Sequence, residues 1–203
     1  MAETLINPNQ ILGGGGLTDT LYLAKVGTLT INDGAVSGFS SSNYLKMINF
    51  DPSKSFEFKL KIKANQIRSL NSCVIGYKSS GGVIGISFGG DGYNTIKLML
   101  STDTSSWNIA DTRGTTELSA NVDYYIKFYF GNSNYILSLS TDDVTYTTEC
   151  VVASSSLIFN GTKFDLAFGA GHPNADWHFD GTIYLNSSYF QQDGVRYNLA
   201  VAQ

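Results

Sequence analysis

The densest group of side chains that could bind a ligand or take part in catalysis lies in residues 171–178. It contains both histidines of the chain, His172 and His178, together with Asp176 and Trp177. Catalysis or metal binding would require the two imidazoles to converge, but a proline-containing loop separates them and no metal-ligand spacing is present. The favoured interpretation is an exposed loop that joins two strands. The alternative is a ligand-contacting loop, because Trp and His rings stack on sugars.

A glycine-rich stretch at residues 88–94, Phe-Gly-Gly-Asp-Gly-Tyr-Asn, has the composition of a phosphate-binding loop. Neither the following helix nor the Lys-Ser/Thr pair of such a loop is present, so the pattern predicts a hairpin turn. Tyr93 in this turn and Trp107, which polar residues flank, are further candidates for ligand contact. Partial packing against the core is an equal alternative for Trp107.

Charge and composition limit the classes of partner. The 203-residue chain has a formal net charge of −4, and no window clusters Lys and Arg, so nucleic acid is not an expected partner. The N-terminus lacks a basic stretch followed by an apolar run, and no segment is long and apolar enough to cross a membrane. Neither a secretory signal nor a membrane partner is expected.

Cys73 and Cys150 lack C-x-x-C spacing and are predicted to be small core side chains.

The chain divides into a short arm and one domain. Residues 1–20 lack strand periodicity and contain the run Gly13-Gly-Gly-Gly16, which its own side chains cannot hold rigid. We expect residues 1–20 to be a flexible attachment segment. Residues 21–203 are predicted to be a single domain, because that length is within the range that one β-sandwich uses.

Period-two alternation dominates the predicted domain. The clearest run covers residues 55–63, in which Phe56, Phe58, Leu60 and Ile62 point one way and charged residues point the other. Further strands are predicted at residues 96–100, 124–130, 135–140 and 164–168. No window has a convincing helical period. The sequence therefore predicts an all-β protein with little helix, with antiparallel strands in two packed sheets or a barrel.

Three stretches together resemble a known family. They are residues 27–39, which end in Ser-Gly-Phe, the predicted hairpin at residues 125–147, and the closing strand Phe-Asp-Gly-Thr-Ile-Tyr-Leu-Asn-Ser-Ser-Tyr at residues 179–189. They resemble the concanavalin A-like, or laminin-G-like, lectin/glucanase domains of bacteriophage structural proteins. The chain departs from that pattern at Asp143, where Gly is usual, and at Tyr184, where Asp is usual. The resemblance implies a two-sheet antiparallel jelly-roll sandwich.

Family relatives that cleave β-glucans carry a Glu-x-Asp-x-x-Glu run, because their nucleophile and acid must lie about 5 Å apart. The four glutamates here are Glu3, Glu57, Glu117 and Glu149, and no such run exists. We therefore expect a protein that is not an enzyme. No cofactor is expected, with calcium as the one candidate: as in some laminin-G relatives, Asp91 and Asp103, with Asp111, are candidate oxygen ligands. A D-x-D-x-D-G calcium loop is missing.

The resemblance implies a function in binding or assembly. The preferred hypothesis is a bacteriophage virion component, located in the particle as a capsid decoration or tail protein. Residues 1–20 would attach it to other virion proteins, and the jelly roll would contact host-surface glycans, with a homo-oligomer as the expected state. The alternatives are a free-standing carbohydrate-binding module and a β-glucan hydrolase with a degenerate site. The identity of the glycan and the position in head or tail are left open.

Overall fold

The computed structural model describes residues 19–67, 72–79, 82–103, 107–171 and 177–202. These ranges contain fifteen strands and one short 3-10 helix, so the prediction of an all-β protein is confirmed. No helix within the described ranges is long and apolar enough to span a membrane. The first strand begins at Asp19, two residues before the predicted domain boundary. The remainder of the predicted arm, residues 1–18, lies outside the described residues.

The strands follow one another with short connections. The first eight are β1 (Asp19–Val26), β2 (Thr30–Asn32), β3 (Ala35–Ser37), β4 (Tyr44–Phe50), β5 (Phe56–Ala64), β6 (Cys73–Ser79), β7 (Gly82–Gly90) and β8 (Tyr93–Ser101). The remaining seven are β9 (Ala110–Arg113), β10 (Asp123–Gly131), β11 (Asn134–Ser140), β12 (Thr147–Ala153), β13 (Phe164–Phe168), β14 (Gly181–Gln192) and β15 (Val195–Val201). The 3-10 helix spans Ile158–Gly161.

Hydrogen bonding joins the strands into one continuous ladder in the order β12-β11-β10-β5-β14-β15-β1-β4-β13-β6-β7-β8-β9, with β2 and β3 attached beside β14. Strand β1 connects the two halves of this ladder. Its residues 19–23 pair with β15, and its residues 24–26 pair with β4. The β1–β15 pair is parallel, which differs from the purely antiparallel prediction. The first and last strands can run in the same direction because no crossover has to connect them.

The two halves of the ladder pack against each other around one core. Phe58 of β5 has its ring centroid 5.5 Å from that of Phe50 in β4 and 5.8 Å from that of Phe168 in β13. The ring centroids of Phe88 in β7 and Tyr124 in β10 are likewise 5.2 Å apart. Aromatic rings from both halves therefore fill the space between them, where each removes a large apolar area from water.

Alternation of burial follows the predicted pattern in β5 and β10. Every second residue of β5, beginning at Phe56, is buried, and the residues between are half-buried. The β8 pattern is different, because Lys97 and Met99 are buried as well as the predicted core residues. Strand β7 is buried at all nine positions. The face of β7 and β8 that points away from the core is called here the outer face. It is also removed from water along β7 and over residues 97–101 of β8, whereas Tyr93 at the start of β8 is exposed.

Candidate functional site

Small residues form the centre of the outer face. Gly76 of β6 pairs with Ala167 of β13 on one side and with Gly85 of β7 on the other, and Gly85 pairs in turn with Met99 of β8. Three of these residues are small, and Met99 borders them; all four are buried and are called here the floor. Since glycine has no side chain and alanine only a methyl group, another part of the chain can approach the floor closely.

The segment that follows β13 makes this close approach. A Cβ atom on Gly76 would lie 2.7 Å from the Cα of Gly171 and 2.8 Å from the carbonyl oxygen of Ala170, so backbone lies directly on β6. The Gly171 amide donates a hydrogen bond of 2.7 Å to the carbonyl oxygen of Trp177, and Ala170 forms a bridge with His178. The chain thus returns over the outer face and holds Trp177 beside Gly171.

Two tryptophans meet at this position. The rings of Trp107 and Trp177 are stacked, with centroids 6.3 Å apart and planes inclined by 24°. Both residues are half-buried, so neither is enclosed in the core. The sequence pattern identified both residues as candidates for ligand contact, and the fold brings them together from distant parts of the chain. They are called here the tryptophan pair.

Of the other candidate residues in the stretch 171–178, the structure describes His178 but not His172 or Asp176. His178 is half-buried, and its carbonyl oxygen accepts a hydrogen bond of 3.3 Å from the Ser72 hydroxyl. His172 and Asp176 lie outside the described residues. Of this stretch, the site therefore contains Trp177 and His178.

A polar cluster lies on the same face, towards the start of β8. Lys97 Nζ is 3.0 Å from Asp91 Oδ2 and 2.8 Å from Asp111 Oδ1. Arg113 of β9 forms a second ion pair with Asp91 and places its guanidinium group 4.7 Å from the centroid of the Tyr93 ring. Residues 91, 93, 97, 111 and 113 are called here the polar cluster. Lys97 and Arg113 were not among the site residues predicted from the sequence, although the period of two along β8 places Lys97 on the same face as Tyr93.

The polar cluster and the segment that holds Trp177 both lie close to the Cys73 thiol of β6. The hydrogen bond from Lys97 is the main reason that the pKa of Asp91 lies below its usual value, and the charge of Arg113 acts in the same direction. Burial raises the pKa of the Cys73 thiol to about 12, while the nearby charge of Lys97 opposes this rise. Cys73 Sγ would lie 3.2 Å from a Cβ on Gly171, so the same thiol borders the Trp177 segment. The polar cluster and the tryptophan pair therefore lie on the same face of the sheet.

The predicted calcium ligands are not brought together. Asp91 precedes β8 and Asp103 follows it, and a strand of nine residues separates its two ends by about 26 Å. One ion cannot contact both carboxylates. Asp91 does approach Asp111, but the Lys97 ammonium occupies the space between them. In the described part of the chain, no three His, Cys, Asp or Glu side chains form a group that could hold a metal ion.

The corresponding face of the other half of the ladder carries lysines between tyrosines. Lys61 of β5 lies 5.5 Å from the Tyr125 ring and 4.9 Å from the Tyr184 ring, and its Nζ is 2.8 Å from an Asp123 oxygen. Lys59 Nζ lies 2.6 Å from Asp143 Oδ2 in a similar ion pair. Because these cations already have aromatic and carboxylate partners, this face offers less to a ligand than the tryptophan pair does.

Comparison with known proteins gives a fold but no family. No protein-family model matches this sequence, and no curated protein matches it. Domain 4 of AbnA, a GH43 extracellular arabinanase from Geobacillus stearothermophilus solved in complex with arabinotriose, is similar over 83% of this chain and 76% of its own, with 14% identity and a TM-score of 0.58.

Two further solved structures are similar. The enzymatically active domain of bacteriophage CBA120 tailspike protein 2 matches 88% of this chain, with 13% identity and a TM-score of 0.60; this chain spans only 30% of that one. The exoplasmic/lumenal domain of VIP36 in its Ca²⁺/Man-bound form matches 98% of this chain and 91% of its own, with 13% identity and a TM-score of 0.54. At these identities the similarity establishes a shared β-rich fold.

The close approach at Gly76 predicts a specific sensitivity. Gly76→Ala should lower the free energy of unfolding by about 1–3 kcal/mol, because the new methyl group meets backbone atoms that cannot move without displacing Trp177. Gly85→Ala is the matched control, since its methyl group meets the flexible end of Met99 at 2.8 Å, and should cost less. Urea unfolding measures both, and tryptophan emission should change only for Gly76→Ala. Equal stability losses with unchanged emission would contradict this account of the floor.

Proposed function

We propose that this chain is a glycan-binding protein in which sugar rings stack on the tryptophan pair. The observation that carries the proposal is the convergence of Trp107 and Trp177 into a stacked, half-buried pair on the outer face. An indole ring offers a broad apolar surface for the C–H face of a sugar. Because the floor and the residue 169–171 segment hold Trp177 in place before a ligand arrives, little conformational freedom is lost on binding.

We also propose that the two halves of the ladder are the two sheets of a concanavalin A-like jelly roll. The similarity to the VIP36 domain, whose solved form holds mannose, and to the AbnA domain, solved with arabinotriose, supports this interpretation. In it, the tryptophan pair lies on the exposed surface of the sheet made by β4, β13 and β6–β9. Neutral sugars of these two kinds are the first ligands to test.

We propose binding without hydrolysis. The sequence lacks the Glu-x-Asp-x-x-Glu run, and two carboxylates of the outer face, Asp91 and Asp111, are both held by Lys97. The hydrogen bond from Lys97 lowers the pKa of Asp91 and so favours its ionised form, whereas a general acid must carry a proton. Release of reducing sugar from a glycan that this chain binds would contradict the proposal.

A glycan array with the full-length chain tests the binding proposal. The wild-type protein should bind a subset of neutral glycans, and Trp177→Ala or Trp107→Ala should weaken that binding about tenfold or more, equivalent to about 1.4 kcal/mol. Tyr22→Ala, which removes an exposed aromatic ring from β1, is the control and should leave binding unchanged. A silent array, or equal binding by the tryptophan variants and the wild type, would exclude this site as the glycan contact.

The biological setting that we propose is a bacteriophage particle, with the chain as a non-enzymatic capsid decoration or tail component. The similarity to part of a phage tailspike supports this setting. Residues 1–20, with their four consecutive glycines, would join the domain to other virion proteins. Display of many copies, or a homo-oligomer, would let weak sugar affinities add up. The alternative is a free-standing carbohydrate-binding module, for which the AbnA domain is the structural parallel.

Particle association can be measured directly. The chain should co-sediment with phage particles in a density gradient, and deletion of residues 1–16 should remove it from the particle fraction. The thermal unfolding midpoint should not change, because the deletion ends before the first residue of β1. Retention of the shortened chain in the particles would exclude the N-terminal segment as the attachment point, and absence of the intact chain from them would favour the free-standing module.

A further inference from the structure

We propose that the polar cluster is a second sugar subsite, and that the outer face binds a neutral linear glycan longer than a disaccharide between the tryptophan pair and Tyr93. The inference rests on the proposed glycan-binding function and adds the chemical class and the minimum length of the ligand. It is argued from the position of the polar cluster, from the contacts that hold the Tyr93 ring and from the distribution of charge.

Position comes from the strand register. Cys73 of β6, which borders Gly171 beside Trp177, is in line with Ser87 of β7 and Lys97 of β8. Tyr93 is four residues from Lys97 on the same face of β8. The displacement from the Cys73 position to Tyr93 is therefore about 13 Å along the strand and about 10 Å across two strand spacings. A single sugar ring stacked on the tryptophan pair does not reach Tyr93, so a ligand that uses both must be an extended chain.

Support for the Tyr93 ring comes from a chain of charged contacts. Lys97 holds Asp91, Asp91 holds Arg113, and the Arg113 guanidinium group lies against the ring at 4.7 Å. The side of the ring away from Arg113 is open, since 59% of Tyr93 is exposed to solvent. An exposed aromatic ring that is held in a fixed orientation can stack on an apolar sugar face at low entropic cost.

The charge distribution selects the ligand class. The cations lie beneath the surface, with 10% of the Lys97 side chain and 20% of the Arg113 side chain exposed. The carboxylates face outward, with 53% of the Asp91 side chain and 42% of the Asp111 side chain exposed. A ligand therefore meets acceptor oxygens, which bind sugar hydroxyl groups and repel carboxylate, sulfate or phosphate groups. Neutral glycans fit this surface, and acidic glycans do not.

Length dependence is the direct test. Calorimetric titration of the full-length wild-type chain would use arabino-oligosaccharides and manno-oligosaccharides of two and six units. In the series that binds, the hexasaccharide should bind at least fivefold more tightly than the disaccharide. Tyr93→Ala should remove that advantage and lower the hexasaccharide affinity much more than the disaccharide affinity, whereas Tyr93→Phe, which keeps the ring, should retain the advantage.

The preference for neutral glycans is tested with an acidic probe. A hexamer of galacturonic acid should bind the wild-type chain at least fivefold more weakly than the neutral hexasaccharide that binds, and Asp111→Asn should reduce this discrimination. Equal affinity for both lengths, equal losses for both lengths in Tyr93→Ala, or tighter binding of the acidic hexamer would overturn the inference while leaving the tryptophan-pair site in place. Failure of the wild-type chain to bind any probe in either neutral series would overturn the proposed function as well.

Discussion

The candidate site depends on one steric constraint, the contact of backbone with backbone where the segment after β13 crosses β6. The Cα of Gly171 occupies space that any side chain at position 76 would need, and Gly171 itself has no room for one because Trp177 and Cys73 lie beside it. This contact covers Gly76 of β6 and places Trp177 where Trp107 can stack on it. A protein with larger residues at these two glycines would keep its core but lose the surface that we propose for sugar binding.

The core and the outer face have different physical roles. Between the two halves of the ladder, aromatic rings such as those of Phe58 and Phe168 bury apolar area and hold the halves together. On the outer face, the same strands carry a tryptophan pair at one place and paired charges at another. The charges are arranged with cations below and carboxylates above, so the surface can accept hydrogen bonds without a large net charge.

Much of the fold could be predicted from the sequence, because β5 and β10 each have one wet face and therefore alternate. Strand β8 does not alternate in burial, since tertiary contacts also remove Met99 from water, and local periodicity contains no information about those contacts. The residues that flank Trp107 and Trp177 in the sequence made both candidates for ligand contact, but their stacking depends on the topology. The separation of Asp91 from Asp103 likewise required the bounds of β8.

The central claim is that the tryptophan pair is the surface on which a sugar lies. The chain has two tryptophans, so a two-dimensional ¹H–¹⁵N spectrum contains one indole signal from each. Titration with a neutral oligosaccharide that binds the chain should shift both indole signals together, saturably and with the same dissociation constant as calorimetry gives. Saturable shifts of backbone amides elsewhere, with both indole signals unchanged, would contradict the account.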